Sequence, residues 1–481
     1  MTITTRPTTS GPDLLGGSIQ MQPNPCLHDE ARLVSPWLGE SGTAGTVAVV
    51  GAGKMGLPLS AQFASHGWKV VAVDVQEAVV AAINEGRTHI DAEPGLADLV
   101  TAAHRAGRLR ATTDAAAAAR EADVVVLIVP VMLDDELGPD HRHMDAAVAS
   151  IAPGLHPGST VIFETTLPVG DTRERYGPRL EGATGLHTER DLFVAFSPER
   201  LYSGATLRNL ATYPKLVGGL GAASTARAAA FYDSVLDAEI VAMSSAEAAE
   251  FAKLAETTYR DVNIALANEF ARYADRVGVD VLEAIAAANS QPYSHIHQPG
   301  LGVGGHCIPV YPHFLLARAP ELELVATARR INDGQVGMAI RAIQKLLGGL
   351  EGVPILVLGL TYRHGVKELA YSRALPLIER LGFHGAAVSA WDPLLSEEET
   401  ARSATPWRWG QPGPFRAIVT QTGDPVFRDL DFGLFQDLEL LFDGRNSLRH
   451  VPLPDGVAYH GIGVPGSPAR PAPRPQGAAV R

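Results

Sequence analysis

Cysteine is almost missing from this chain. Cys26 and Cys307 are the only two among 481 residues, so a disulfide framework is excluded and a reducing compartment fits. Basic residues are in deficit, with a formal net charge of −13 and a pI near 5.7, which argues against a nucleic-acid surface. No uninterrupted apolar run is long enough to span a bilayer. The N-terminus lacks the basic and apolar regions of a signal peptide. The expectation is a cytoplasmic protein with no membrane or nucleic-acid partner. No ligand set points to a metal, and no internal repeat is visible. What remains is enzyme-like: hydrophobic residues make up 46% of the chain and charged residues 19%, enough for two or three globular domains.

Glycine, by contrast, is concentrated where chemistry needs it. Residues 299–312 read Pro-Gly-Leu-Gly-Val-Gly-Gly-His-Cys-Ile-Pro-Val-Tyr-Pro. Glycines let a backbone come close to a ligand, and a thiol presented from such a turn can reach a substrate carbon. An isolated cysteine is more often a small buried hydrophobe. The company this loop keeps along the chain favours a nucleophile.

Thr46–Val50 is a β-branched apolar run followed at once by Gly51-Ala-Gly-Lys-Met-Gly56, a helical stretch to about His66, and a strand Lys69–Val73 ending in Asp74. Strand, GxGxxG, helix, strand and acid form the dinucleotide-binding fingerprint. Gly51 makes the tight turn, Gly53 admits the pyrophosphate, and Gly56 lets helix meet strand. The helix N-terminus, with Lys54 and Met55 at its entrance, holds negative charge. Asp74 accepts from ribose hydroxyls and repels a 2′-phosphate, which predicts NAD over NADP.

Runs at 122–129, 159–164, 191–196 and 215–218 read as further buried parallel strands. Thr166 and Glu199 follow two of them, at the strand ends where α/β sheets bind ligands. Capping of the next helix is the ordinary alternative. From Ser244 to about Val277 the pattern predicts one long helix, with Lys253, Thr257 and Arg260 at i, i+4, i+7 on a shared face. Beyond residue 350, runs at 354–360, 387–391, 415–419 and 438–442 predict a second α/β unit without a full glycine fingerprint.

The fold class is therefore α/β, two Rossmann-like doubly wound parallel-sheet domains joined by a long central helix. The expected divisions are a disordered extension over 1–44, which contains Cys26, an NAD-binding domain over 45–240 and a central helical domain over 241–345. A C-terminal α/β domain over 346–463 and a Pro-rich disordered tail over 464–481 follow.

Several separated motifs resemble the UDP-glucose/GDP-mannose dehydrogenase family over roughly residues 45–463. They are Gly51–Gly56, Glu93-Pro-Gly-Leu96, Thr165-Thr-Leu-Pro168, Ser197-Pro-Glu-Arg200, Lys253, Arg260-Asp-Val-Asn263, Gly304-Gly-His-Cys307 and Asp443-Gly-Arg-Asn446. The resemblance implies NAD-dependent four-electron oxidation of C6 of a nucleotide sugar, through a thiohemiacetal and a thioester on Cys307. Lys253 is then the catalytic base or oxyanion stabiliser, and Glu199 helps activate the hydrolytic water. Thr166 orders water or cofactor. Arg200, Leu201, Thr257, Arg260 and Gly304 match substrate positions, as do Tyr362, Arg363 and Arg445 in the C-terminal unit. A homodimer or larger homo-oligomer through the long helix is implied too.

His306 and the Ile-Pro-Val after Cys307 resemble the branch acting on UDP-N-acetylhexosamines, with UDP-N-acetylmannosamine as the leading expectation. Four positions depart from the family pattern. Tyr311 stands for an aspartate, Thr257 for an asparagine, Val131 for a threonine and Ala370 for an arginine. Tyr311 and Thr257 are expected to pair as a neutral replacement network. The alternatives are a UDP-glucose 6-dehydrogenase and a catalytically silent nucleotide-sugar binder. A two-electron NAD dehydrogenase would yield one NADH per substrate rather than two.

Overall fold

The computed structural model describes residues 44–90, 93–200 and 204–467. The sequence readings for Cys26, most of the N-terminal extension, Leu201 and the end of the tail lie outside these residues.

The first α/β unit is an eight-stranded sheet. Across it run Ile240–Ala242, Lys215–Gly219, Phe193–Phe196, Thr160–Phe163, Val124–Leu127, Thr46–Val50, Lys69–Val73 and Leu109–Thr112. The strands from Phe193–Phe196 to Leu109–Thr112 are parallel, and the central ones are Val/Ile/Phe-rich and buried on both faces, as a sheet with helices on each side requires. One sequence expectation fails here. Lys215–Gly219 runs antiparallel to Phe193–Phe196, because a connection through the 204–214 segment returns the chain to the same sheet edge. A β-branched run carries no mark of direction, so pattern alone could not reveal this.

The second sheet has seven strands, in the order Thr405–Pro406, Ala387–Trp391, Pro354–Leu358, Ala417–Thr420, Leu440–Asp443, Ala458–Gly461 and Val464–Ser467. The last strand is antiparallel to its neighbour and Val464 is buried. The tail expected to start at 464 thus begins as an edge strand. It is anchored where Gly463 packs on Ala271 and Val281.

Between the sheets runs the helix Ala246–Val277, about 48 Å long at 1.5 Å per residue. The Ser245 side chain caps its first turn by accepting from the Ala248 amide, and Gly278 ends it at a φ of 73°. Its buried stripe includes Glu250, Lys253, Thr257, Asp261 and Asn268 among alanines. Burying so many polar groups costs stability unless each finds a partner. Glu250 finds three, the amides of Gly170 and Thr172 and the Thr172 hydroxyl, which clamp the helix to the first unit. Helices Tyr311–Arg318 and Glu323–Asp333 pack back along it.

Candidate functional site

The first edge of the site is the glycine turn. Gly51 adopts a φ of 102°, and its amide donates to Val73 O at 2.8 Å. A Cβ on Gly56 would stand 1.7 Å from Gly51 O, so only glycine lets the helix Gly56–Ser65 start there. A Cβ on Gly53 would meet nothing within 4 Å; the backbone there is bare and open. Asp74 accepts from the Ala52 and Gln76 amides at 3.0 and 2.9 Å and stays partly exposed. A bare turn, a free helix N-terminus and an acid at the second strand's end fit a dinucleotide. Lys54 points across the cleft and pairs with Glu368 of the second unit.

The second edge is the loop that carries Cys307. It is held from three directions. Asn268 of the long helix accepts from the Gly300 amide at 2.9 Å. Arg373 donates through Nε to Val303 O at 2.6 Å. The Gly305 amide donates to Ala370 O at 3.0 Å. Gly305, at a φ of 89°, lies against the Tyr362 ring, where a Cβ would be 3.0 Å from a ring carbon. Behind the loop is an ionic network with a buried centre at Asp261 and Arg329. Arg329 Nη1 donates to Asp261 Oδ1 at 2.6 Å, Asn332 donates to Asp261, and Asp333 joins Arg329 to Arg373. A nucleophile loop tied at so many backbone points is preorganised.

Cys307 itself is a half-buried free thiol. Its carbonyl accepts from the amides of Val310 and Tyr311, which starts the helix Tyr311–Arg318. The Tyr311 phenol faces both the Cys307 thiol and the Thr166 side chain. Burial, with Cys307 alongside, pushes the Tyr311 pKa well above the usual phenol value. Tyr311 is therefore a neutral hydrogen-bonding group.

The expected pairing of Tyr311 with Thr257 is not what the structure contains. Thr257 Oγ1 donates to Lys253 O and Leu254 O at 3.0 and 3.1 Å, turned back onto its own helix. Lys253 is buried, with its ammonium 3.8 Å from Glu256 Oε1. Glu256 in turn accepts from Arg200 Nε at 2.7 Å. The acidic neighbour of the lysine thus comes from its own helix at i+3. The i, i+3 spacing of Lys253 and Glu256 is legible in the sequence.

Glu199 follows the strand Phe193–Phe196 and is mostly buried. Its Oε1 accepts from the Arg200 amide at 2.7 Å. Its Oε2 lies 3.5 Å from Lys215 Nζ, which also lies 3.3 Å from Glu164 Oε1. Tyr232 donates to that same Glu164 oxygen. Burial pushes the Glu164 pKa up to about 7 against the pull of Lys215. Neither Glu164 nor Lys215 was singled out from the sequence.

Other substrate candidates line the second unit's side. Arg363 donates to the Tyr362 hydroxyl at 3.0 Å. Arg445 donates to Gln421 O and lies against Gly300. A Cβ on Gly304 would sit 2.8 Å from Tyr371 O. Arg260 continues the stripe of Lys253 and Thr257 along the long helix but is exposed where they are buried. Asn263 and Arg373 were missed as loop anchors. Asn263 holds His297 N and His295 O at 2.9 and 2.7 Å.

These elements define a dinucleotide-dependent oxidoreductase with a thiol and a buried lysine at the junction of two α/β units. Three family models match in chain order. They are the UDP-glucose/GDP-mannose dehydrogenase NAD-binding domain over 45–236, the central domain over 247–334 and the UDP-binding domain over 356–450. The UDP-N-acetyl-D-mannosamine dehydrogenase of Salmonella typhi is 37% identical, covering 73% of this chain and 86% of that protein. The NDP-N-acetyl-D-galactosaminuronic acid dehydrogenase of Ralstonia nicotianae is 36% identical over 70% and 80%. The solved UDP-N-acetyl-D-mannosamine dehydrogenase of Pyrococcus horikoshii superposes with a TM-score of 0.79 at 33% identity, covering 87% of this chain and 99% of that one. The chain belongs to the UDP-glucose/GDP-mannose dehydrogenase family. It is an NAD-dependent nucleotide-sugar dehydrogenase.

Proposed function

We propose that the protein oxidises C6 of a UDP-N-acetylhexosamine to the uronate, with UDP-N-acetylmannosamine ahead of other sugars. The observation that carries the reaction is the half-buried Cys307 thiol on a multiply anchored glycine loop, beside the Tyr311 phenol that also meets Thr166 after a strand of the first sheet. The sugar preference is supported by His306, by the Ile-Pro-Val after Cys307, and by the named activities of the similar proteins.

When bound, NAD⁺ is a two-electron acceptor, and two equivalents are needed to take an alcohol to a carboxylate. Gly51, Gly53, Gly56, Lys54, Met55 and Asp74 would hold it. Lys253, buried and paired with Glu256, receives the C6 hydroxyl proton or stabilises the oxyanion. The aldehyde carbon is then attacked by Cys307, and oxidation of the resulting thiohemiacetal leaves a thioester. Tyr311 and Thr166 orient the sulfur. Glu199 draws a proton from the water that hydrolyses the thioester. Arg200, Thr257, Gly304, Tyr362, Arg363 and Arg445 shape the nucleotide-sugar side.

The division of labour follows the chain: 45–240 for the cofactor, 241–345 for lysine and cysteine, and the unit from 346 onward for the nucleotide. Tyr259, Leu266, Phe270, Tyr273 and Val277 expose an apolar stripe on the long helix. That stripe supports a homodimer, with Arg260 beside it serving the neighbouring copy. A reducing cytoplasm suits a catalytic thiol, and among the described residues no helix is long and apolar enough to cross a membrane.

The test is a panel of UDP- and GDP-sugars incubated with NAD⁺ while NADH absorbance and uronate are followed. Two NADH per uronate with UDP-N-acetylmannosamine preferred is the expected result. One NADH per substrate removes the covalent mechanism. A clear preference for UDP-glucose or GDP-mannose removes the substrate assignment. Binding without NADH makes the protein a silent binder.

A further inference from the structure

The antiparallel strand Lys215–Gly219 has a chemical consequence. Had it run parallel to its neighbour, Lys215 would sit at the sheet edge away from ligands. Running antiparallel, it begins at the carboxyl ends of Thr160–Phe163 and Phe193–Phe196. Glu164 directly follows the first of these strands and Glu199 stands three residues beyond the second. Their backbones are joined there, with Glu199 N donating to Glu164 O at 3.2 Å. The Lys215 ammonium fills the space between the two carboxylates, 3.3 Å from Glu164 and 3.5 Å from Glu199. Its other side rests on the Tyr232 ring, 4.8 Å from the centroid.

We propose that Lys215 and Glu164 are positioning residues for thioester hydrolysis, with Lys215 holding Glu199 as an ionised base and Glu164 carrying one shared proton behind it. This inference rests on the reading of Glu199 as the base that activates water.

The charge balance supports it. Glu164 is fully buried and Lys215 nearly so. Two ionised carboxylates and one ammonium would leave a net buried negative charge, which is costly in a dry interior. One proton shared between the carboxylates makes the group neutral. The groups facing Glu164 are Lys215, Glu199 and Tyr232, and burial outweighs the lysine's attraction. Tyr232 also meets Ser197 and stays a neutral phenol. Among the described residues, Glu164 Oε2, Glu199 Oε2 and Lys215 Nζ are buried without a well-aligned hydrogen bond. A merely structural cluster would be expected to satisfy them. Glu199 and Lys215 also line a small cleft with Arg200, Asn209 and Tyr213, which gives the base an opening.

The water oxygen bonds to the thioester carbonyl carbon, one water proton passes to Glu199, and the carbon–sulfur bond breaks with its electron pair leaving on Cys307. Nothing is oxidised or reduced. Glu164, ionised as pH rises through neutrality, adds negative charge beside Glu199 and strengthens it as a base.

The experiment compares Lys215→Met, Lys215→Arg, Glu164→Gln and Glu199→Gln in the full-length enzyme. The measurements are steady-state kinetics across pH and acid-quench mass spectrometry of the Cys307 peptide. Lys215→Met is expected to lower kcat on the order of 100-fold with KM nearly unchanged, and to accumulate substrate covalently on Cys307. Lys215→Arg is expected to restore most of the rate. Glu164→Gln is expected to flatten the rise in hydrolysis rate near pH 7. If Glu199→Gln traps the thioester while Lys215→Met turns over normally, or while Met and Arg variants fail alike without adduct, the positioning role is wrong and the base assignment stands. If Glu199→Gln neither slows turnover nor traps adduct, the base assignment fails and the inference goes with it.

Discussion

The two α/β units open in the same way and then diverge. In each, the glycine after the first strand donates its amide to the end of the second strand: Gly51 to Val73 O and Gly359 to Trp391 O, both at 2.8 Å. In each, an aspartate just beyond the second strand accepts amides from the turn. Asp74 accepts from Ala52 within the turn and remains partly exposed. Asp392 is buried and saturated, taking the amides of Leu360, Thr361 and Leu394 and the Thr361 hydroxyl. In the first unit a helix starts five residues after Gly51, its N-terminus free for phosphate. In the second the helix waits until Ala374, and the intervening loop carries Tyr362, Arg363 and Glu368 over to the nucleophile loop. One half presents its turn to a ligand; the other consumes its acid internally and sends out a loop.

The largest effect expected is at the place where the two halves meet. Cys307→Ala should abolish uronate formation while NAD⁺ affinity, a property of the first unit, is unchanged by fluorescence titration. Uronate at wild-type rates would remove the thiol from the mechanism.

Exchanging the two aspartates sharpens the comparison directly. Asp392→Ala should orphan four donors and lower folding stability by on the order of 3 kcal/mol, read from chemical denaturation. Asp74→Ala should leave stability nearly intact but weaken NAD⁺ binding and narrow the preference over NADP⁺. Equal stability losses would mean that the two acids are doing the same structural job.

This contrast also explains what the sequence disclosed. The first strand, glycine turn, helix and acid were readable because each has its own residue signature over a short span. Thr46–Val50, Lys69–Val73 and Ala387–Trp391 coincide with the expected strands to the residue. The direction of Lys215–Gly219 was not readable, because side-chain alternation is the same in either direction. Glu164 looked like an ordinary strand end and Lys215 like an ordinary strand start. Only the reversed strand brings them together. One partner of Tyr311 was hidden for a related reason: Thr166 lies far from Cys307 and Tyr311 in sequence and meets them only through tertiary packing. Val464–Ser467 was lost to the Pro-rich stretch that follows it.

A smaller effect is expected at Tyr311. Its hydroxyl faces Cys307 and Thr166, linking the nucleophile loop to the first unit's strand end. Tyr311→Phe keeps the ring packing and removes this hydrogen-bonding link. Turnover should fall about tenfold, about 1.4 kcal/mol in the barrier, with NAD⁺ binding unaltered. Thr257→Ala, whose hydroxyl is satisfied within its own helix, should do less. Wild-type turnover by Tyr311→Phe would remove this link, whereas equal tenfold losses from Tyr311→Phe and Thr257→Ala would restore the pairing that the sequence suggested.

The smallest effect concerns the bridge between the halves. Glu368 receives Lys54 from the glycine turn and lies 3.3 Å from His306 Nε2, next to the nucleophile. Its carboxyl is held far below the ordinary glutamate range, first by the hydrogen bond from His306, then by Lys54 and the Ala370 amide, against the opposing pull of burial. A carboxyl depressed in the folded state contributes its full stability above the unfolded pKa, about 4.3 for glutamate. That contribution shrinks as pH falls toward the folded value. Lys54 is well exposed, so solvent screens the pair and the contribution is held to about 1 kcal/mol. Glu368→Gln should therefore melt slightly below wild type from pH 5 to 7, and the gap should close as pH drops below about 4. A gap of the same size at pH 3 as at pH 7 would mean that Glu368 acts through its shape and not its charge. The ion pair would then contribute nothing to how the two units are joined.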